Sequence, residues 1–554
     1  MVVSAQVDAS KAGVEVLQAG GNAIDAAVAT GFALAVTYPG AGNVGGGGFM
    51  VIRFADGTST SIDYRETAPA AASRDMYLDE NGDFVPALSQ RGYLASGVPG
   101  SVDGLLMAHQ KYGKLSLKKV MAPSLRLAKK GFVLSRRAAL TLNAYNETFS
   151  AYESTARYFT KGTTEVGYVE GERFKQKDLY KVLKRIRKDG RDGFYSGKTA
   201  DLIVAEMQRG GGIITHSDLE SYRAIERRPI IGSYRGHKVY SMPPASSGGI
   251  ALVQLLNAVE PLPVSEMGFN SSATIHAMGE SMRRVYADRA EWLGDSDYFE
   301  VPVEGLINKD YMRMRMQDFD PDRADSSAAV TFGNPFANES TETTHYSVVD
   351  SEGNAVSVTT TINSGFGSKV VVDGAGFFMN NEMDDFSAKP GVPNQFGLLG
   401  NEANAIEPGK RMLSAMTPTI VEDEKGRLKM VIGTPGGSTI ITTVFQVILN
   451  VIDHDMDIAA AVSAPRVHHQ WQPDVLFYEN MGLAADVVDN LMARGWNVDE
   501  RSGTSGRADG IVVSYENADS FVDDAGLDEI SYRDLEPILF GGADPRGEDI
   551  AIGY

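Results

Sequence analysis

The sequence predicts an α+β protein built in layers, and three observations carry that expectation. Past an opening helical region, strand-like segments come first, a mostly helical stretch follows from about Ser101 to Tyr311, and strand patterning returns after Thr343. That order places helices over a two-sheet centre. The hydrophobic fraction of 43% is ample for a core, and 554 residues allow either several domains or one large layered body. No internal repeat is visible, and the 59 glycines follow no collagen-like period.

The chain opens on a helical pattern, followed by a more apolar helix from about Ala23 to Val36 and then a glycine loop. A hairpin follows, roughly Gly48–Phe54 and Ser59–Tyr64, turned at Asp56-Gly57. Within the helical stretch Leu179, Val182, Leu183 and Ile186 fall at i, i+3, i+4 and i+7, with Lys and Arg on the opposite face, which reads as a solvated helix face. Past Thr343 two strands flank the turn Ser351-Glu352-Gly353-Asn354, and further helices are expected near Ser438–Val451 and Ala484–Arg494. The segment 517–537 holds seven acidic residues against one arginine and reads as a solvated surface insertion.

Composition excludes several classes of function. A balance of 52 basic to 72 acidic residues gives a formal charge of −20, which argues against nucleic acid or an anionic membrane as partner. There is no cysteine, so disulfides, thiolate metal sites and cysteine catalysis are ruled out. The longest charge-free stretch, Ala26–Ile52, is broken by Pro39 and seven glycines and is not a membrane span. None of the eight histidines forms an HExxH pattern, and His468-His469 are adjacent, so no metal site is expected. Neither Gly45–Gly48 nor Gly436-Gly437 is followed by the Lys-Ser/Thr of a nucleotide loop, and no cofactor is expected.

The segment that points to chemistry is Thr341-Glu342-Thr343-Thr344-His345-Tyr346-Ser347-Val348-Val349-Asp350. If Val349 and Ala355 close the hairpin, Thr343 lies opposite Thr361. A hydroxyl at a strand tip, held by a second hydroxyl across the ladder, suits a nucleophile that lacks only a base. Cleavage between Glu342 and Thr343 would supply one, since a new α-amino group has a pKa of about 7.7–8.0 and can take the hydroxyl proton at neutral pH. An ordinary Thr-rich hairpin is the alternative these residues leave open.

Thr343 to Asp350 resembles the autocleavage and nucleophile motif of the γ-glutamyltranspeptidases (glutathione hydrolases). Asn43-Val44-Gly45-Gly46-Gly47-Gly48-Phe49, Tyr64-Arg65-Glu66-Thr67-Ala68-Pro69, Pro243-Pro244-Ala245-Ser246-Ser247-Gly248-Gly249, Asn380-Asn381-Glu382-Met383-Asp384-Asp385-Phe386, Pro435-Gly436-Gly437-Ser438 and Asp544-Pro545-Arg546 are also similar, in the family's order over nearly the whole chain. The resemblance implies the four-layer αββα sandwich of N-terminal nucleophile hydrolases, with residues 1–342 and 343–554 as large and small subunits of one interwoven body. It implies that Arg65, whose planar fork suits a carboxylate, holds the donor's α-carboxylate together with Ser414. Glu382, Asp385 and Asn363 would receive its α-amino group, Gly436 and Gly437 the oxyanion, while Thr361 orients Thr343. Position 415, a second serine in the family, is Ala415 here, which removes one potential hydrogen bond. Ser387–Gly400 resembles a lid loop with Phe396 as its aromatic gate.

From the residues alone, Arg65 could instead pair with Glu66, Glu382 and Asp385 could be capping acids of a turn, and the two glycine runs and the Pro/Gly loop could be packing or surface turns. The combined expectation is a precursor that cleaves itself at Glu342-Thr343 and then passes a γ-glutamyl group from glutathione or a similar donor to water, an amino acid or a dipeptide. Two other readings are a cephalosporin (glutaryl) acylase on the same scaffold and, in another class, an uncleaved γ-glutamyl-peptide binding protein. The resemblance implies a periplasmic or secreted protein, whereas Met1–Gln6 enters folded-looking sequence with no signal peptide.

Overall fold

The computed structural model describes residues 1–161, 167–334, 344–515 and 537–554. Its centre is a pair of sheets. The first has seven strands in the spatial order Ile550–Ile552, Val2–Ser4, Thr344–Val349, Ala355–Thr361, Gly47–Arg53, Ser59–Asp63, Ile225–Arg227. The second has six, in the order Ile538–Ala543, Asp509–Ser514, Leu428–Gly433, Thr419–Glu422, His237–Ser241, Ile230–Tyr234. All neighbours in both sheets run antiparallel.

Alternation along the strands explains the layering. Phe49, Val51 and Val349 of the first sheet meet Ile420, Val431, Ile511 and Val513 of the second in one buried cluster. The intervening residues Met50, Ile52, Tyr346 and Val348 face the other way, into a core shared with the helices Val7–Gln18 and Ala23–Thr37. On the far side Val421, Met430 and Ile432 pack with the helices Gly248–Val259, Ser272–Trp292 and Thr439–Ile452. The molecule is therefore a four-layer αββα sandwich. Helix Ala23–Thr37 is buried on every side, which accounts for its largely apolar sequence, and an Asn22–Asp25 capping box starts it.

The predicted hairpin register holds, with Val349 opposite Ala355 and Thr344 opposite Thr360. The stretch read as mostly helical is so, but it also contains the short strands Ile225–Arg227, Ile230–Tyr234 and His237–Ser241, which the pattern did not show. The last two are joined by Arg235-Gly236, both with positive φ, a two-residue hairpin turn of the kind that matches strand twist. The opening helix is also preceded by the short strand Val2–Ser4. The acidic segment 517–537 joins neighbouring strands of the second sheet, and apart from Pro537 it lies outside the described residues.

Candidate active site

The two central strands of the first sheet, Thr344–Val349 and Ala355–Thr361, bring the site together. Glu342 and Thr343, the expected cleavage pair, lie outside the described residues. The ladder is described as far as Thr344 opposite Thr360, one pair short of Thr361. Thr361 Oγ1 accepts the Asn363 N–H at 2.7 Å, and its carbonyl accepts Asn43 Nδ2 at 2.7 Å. Asn43 in turn accepts from Gly46 N and Ser101 Oγ, so one side chain ties the glycine loop to the strand end. The loop needs its glycines, since a Cβ on Gly46 would come within 2.0 Å of the Thr361 carbonyl oxygen and one on Gly45 within 2.2 Å of that of Phe378.

Asn363 follows directly, with φ of 71°. Its amide donates to the Asn381 carbonyl at 2.9 Å, while its Oδ1 is buried without a partner. Next to Asn381, the one-turn helix Glu382–Asp385 presents its acids to Arg65. Arg65 Nη1 lies 2.6 Å from Glu382 and Nη2 2.6 Å from Asp385, against 3.7 Å to Glu66, so the neighbouring glutamate is the most distant of its three anions. Arg65 also donates to the carbonyls of Met412 and Leu413, which brings it beside Ser414. Ser414 is buried, its Oγ accepting Met416 N, and Ala415 is buried beside it.

The groups expected to hold a substrate carboxylate and a substrate ammonium thus meet each other. Around one guanidinium sit three fully buried carboxyls. Burial works against the charge of Arg65, but Glu382, Asp385 and Glu66 outweigh it and hold the guanidinium above its usual pKa. Burial pushes both Glu382 and Glu66 up, with Arg65 only partly offsetting it. The oxygens of both glutamates lack hydrogen-bond donors. One guanidinium thus faces three carboxyls, two of which burial pushes towards the protonated form. Among the described residues no group of three or more His, Asp or Glu is arranged to hold a metal ion.

Gly436 and Gly437 have φ of 143° and 67° and precede the helix Thr439–Ile452. Their carbonyls accept from Thr439 N and Ile440 N, and their own N–H groups have no partner among the described residues. They follow the strand Leu428–Gly433, whose last residue lies over His345, since a Cβ on Gly433 would sit 2.3 Å from His345 Nδ1. Both lie outside the hydrogen-bond network of Arg65. The loop around Phe396 reaches the acids directly, Asn394 Nδ2 lying 3.4 Å from Asp385 Oδ1 and Gln395 N 3.2 Å from Asp384 Oδ2. Burial lifts Asp384 to about 6, with a Ser89 hydrogen bond opposing it.

Sequence reasoning left out Asn43, Asn381, Asp384 and Asn394, and gave Glu66 only as an alternative partner of Arg65. The first three belong to the quoted motifs, so their place in the sequence was the available signal. Asn394 had none beyond the Pro/Gly loop around it.

Two facing sheets between helical layers, with buried polar groups converging at one end of the central strands, define the N-terminal nucleophile hydrolase class. Within that class, the γ-glutamyltranspeptidase family pattern matches residues 9–554. The glutathione hydrolase proenzyme of Escherichia coli K12 is 45% identical over 556 residues, covering 100% of this chain and 92% of that protein. The glutathione hydrolase proenzyme of Pseudomonas sp. A14 is 48% identical over 497 residues, covering 89% of this chain and 86% of that one. Among solved structures, a cephalosporin acylase from Bacillus halodurans superposes with a TM-score of 0.85 at 25% identity, covering 100% of this chain and 96% of its own. The chain belongs to the γ-glutamyltranspeptidase family.

Proposed function

We propose that the protein is a γ-glutamyltransferase and glutathione hydrolase that matures by cutting itself between Glu342 and Thr343. In maturation the Thr343 hydroxyl attacks the Glu342 carbonyl and the acyl group moves from nitrogen to oxygen. That shift frees the α-amine that serves as base, and water then cleaves the ester, releasing the Glu342 carboxylate and the Thr343 hydroxyl. In turnover that amine takes the Thr343 Oγ proton as the oxygen attacks the γ-carbonyl of the donor, and it returns the proton to the departing amine of cysteinylglycine. Gly436 and Gly437, whose N–H groups have no partner among the described residues, suit the tetrahedral oxyanion. Water or an acceptor amine then takes the γ-glutamyl group from the ester.

The observation that carries the donor assignment is the dipolar cluster Arg65–Glu382–Asp385. A γ-glutamyl group brings a carboxylate and an ammonium together, so it exchanges one for one with the pairs it displaces and leaves no buried charge unmatched. The orphaned Asn363 Oδ1 is a further acceptor for that ammonium. A glutaryl donor has no ammonium and would leave the acids unpaired, which weighs against the acylase reading despite the TM-score of 0.85. A binding protein would need none of Thr343, Thr361 or the glycine pair.

Intact mass and N-terminal sequencing of the purified protein test this reading. Two chains, the smaller beginning Thr343-Thr344-His345, are expected, and Thr343→Ala should give one inactive chain. A processed and active Thr343→Ala protein would end the mechanism. For compartment the fold says only that no described helix is long and apolar enough to cross a membrane.

A further inference from the structure

Two consecutive acids hold two consecutive loop residues. Asp385 uses Oδ2 for Arg65 and has Oδ1 3.4 Å from Asn394 Nδ2, while Asp384 Oδ2 accepts the Gln395 N–H at 3.2 Å. The other Asp384 oxygen accepts Ser89 Oγ at 2.6 Å, which fixes the carboxyl to the short helix Pro86–Gln90. Asn394 does a second job, since its Oδ1 accepts the N–H groups of Phe396 and Leu398 at 3.0 and 3.1 Å. One side chain therefore both folds the loop tip that carries Phe396 and reaches the carboxylate expected to take the donor's ammonium. The far side of the tip is held by Gln470, whose Nε2 donates to the Gly397 carbonyl at 3.0 Å and lies 3.5 Å from that of Phe396.

We propose that Asp384 and Asn394 are positioning residues that form a two-point latch, holding the Phe396 loop over the donor pocket and setting how the γ-glutamyl ester is divided between water and bulkier amines. This rests on the reading of Thr343 as the ester-bearing nucleophile. The division follows from access. In transfer the acceptor nitrogen forms the new amide bond, the bond from the γ-carbonyl carbon to Thr343 Oγ breaks, and the amine proton passes through the Thr343 α-amine to Oγ. Water completes the same step with a smaller body and is hindered less by a closed loop. Hydrogen bonds to an ionised acceptor are stronger than neutral ones, so a carboxylate at each fastening point suits a latch.

The test uses the processed enzyme with a γ-glutamyl anilide donor, with and without glycylglycine, in the parent and in Asp384→Ala, Asn394→Ala and Asp384→Asn. Hydrogen exchange of residues 387–400 is followed in parallel. Both alanine variants should raise the ratio of transfer to hydrolysis at least threefold and raise donor KM more than they change kcat, with faster exchange in the loop. Asp384→Asn can still accept from Gln395 and pair with Ser89, so it should return the ratio towards the parent's. An unchanged ratio and unchanged loop exchange in both alanine variants would overturn the latch, as would equal losses in kcat alone. A parent that releases no anilide would instead remove the underlying reading of Thr343.

Discussion

On the proposed reading, the buried cluster around Arg65 is matched to a zwitterionic donor. Breaking a buried pair without replacement costs on the order of 3–5 kcal/mol, whereas exchanging both halves costs far less. Discrimination between γ-glutamyl and glutaryl amides of the same amine should therefore be large. We expect kcat/KM for the γ-glutamyl donor to exceed that for the glutaryl one by on the order of a hundredfold or more, measured with the two anilides side by side. Near-equal values would mean that the acids are structural. The types and approximate places of these residues were legible in the sequence, since Arg65, Glu382, Asp385 and Asn363 sit in recognisable motifs. That the arginine and the acids meet each other was not, because contact across 320 residues is a property of the fold.

The hairpin was the most legible element, because a short turn fixes register and the register places every side chain that follows. The second sheet was less so. Its strands Ile230–Tyr234 and His237–Ser241 sit inside a long helical stretch, marked only by a two-residue turn. Polar residues on the central hairpin look misplaced until the inter-sheet layer is seen. His345 Nδ1 lies 3.1 Å from Thr359 Oγ1 and Nε2 2.9 Å from Ser347 Oγ, and Ser357 Oγ donates to the Ile432 carbonyl across the layer. Burial lowers His345 to about 3. The unfolded chain takes up that proton near pH 6.5 and the folded one does not until about 3. The contribution is therefore complete above 6.5 and is lost as pH falls towards 3, reaching about 2 kcal/mol by pH 5. Urea unfolding of His345→Gln should show a correspondingly smaller loss between pH 7.5 and 5 than the parent. An identical acid loss in both proteins would mean that His345 is already charged in the folded state.

The expected cut at residue 342 falls between segments that share both sheets. In the first sheet Val2–Ser4 lies between Ile550–Ile552 and Thr344–Val349, and Gly47–Arg53 pairs with Ala355–Thr361 over seven residue pairs. In the second, His237–Ser241 pairs with Thr419–Glu422, and the cluster between the sheets draws on both sides of the cut. Ion pairs cross it as well, including Arg53 with Glu422 at 2.8 Å, buried on both sides. Neither piece has a complete sheet or a closed core by itself, so each would expose sheet edges and apolar faces if the other left. The processed protein should therefore behave as one cooperative body. Its two chains should co-elute through dilution and high salt, part only in denaturant, and melt together when loss of near-UV and far-UV circular dichroism is compared. Salt should matter little, because burial of apolar surface rather than surface charge holds the pieces together. Chains that separate in native buffer, or two resolved transitions, would show that the halves are independent domains meeting at a surface and not a single sandwich shared between them.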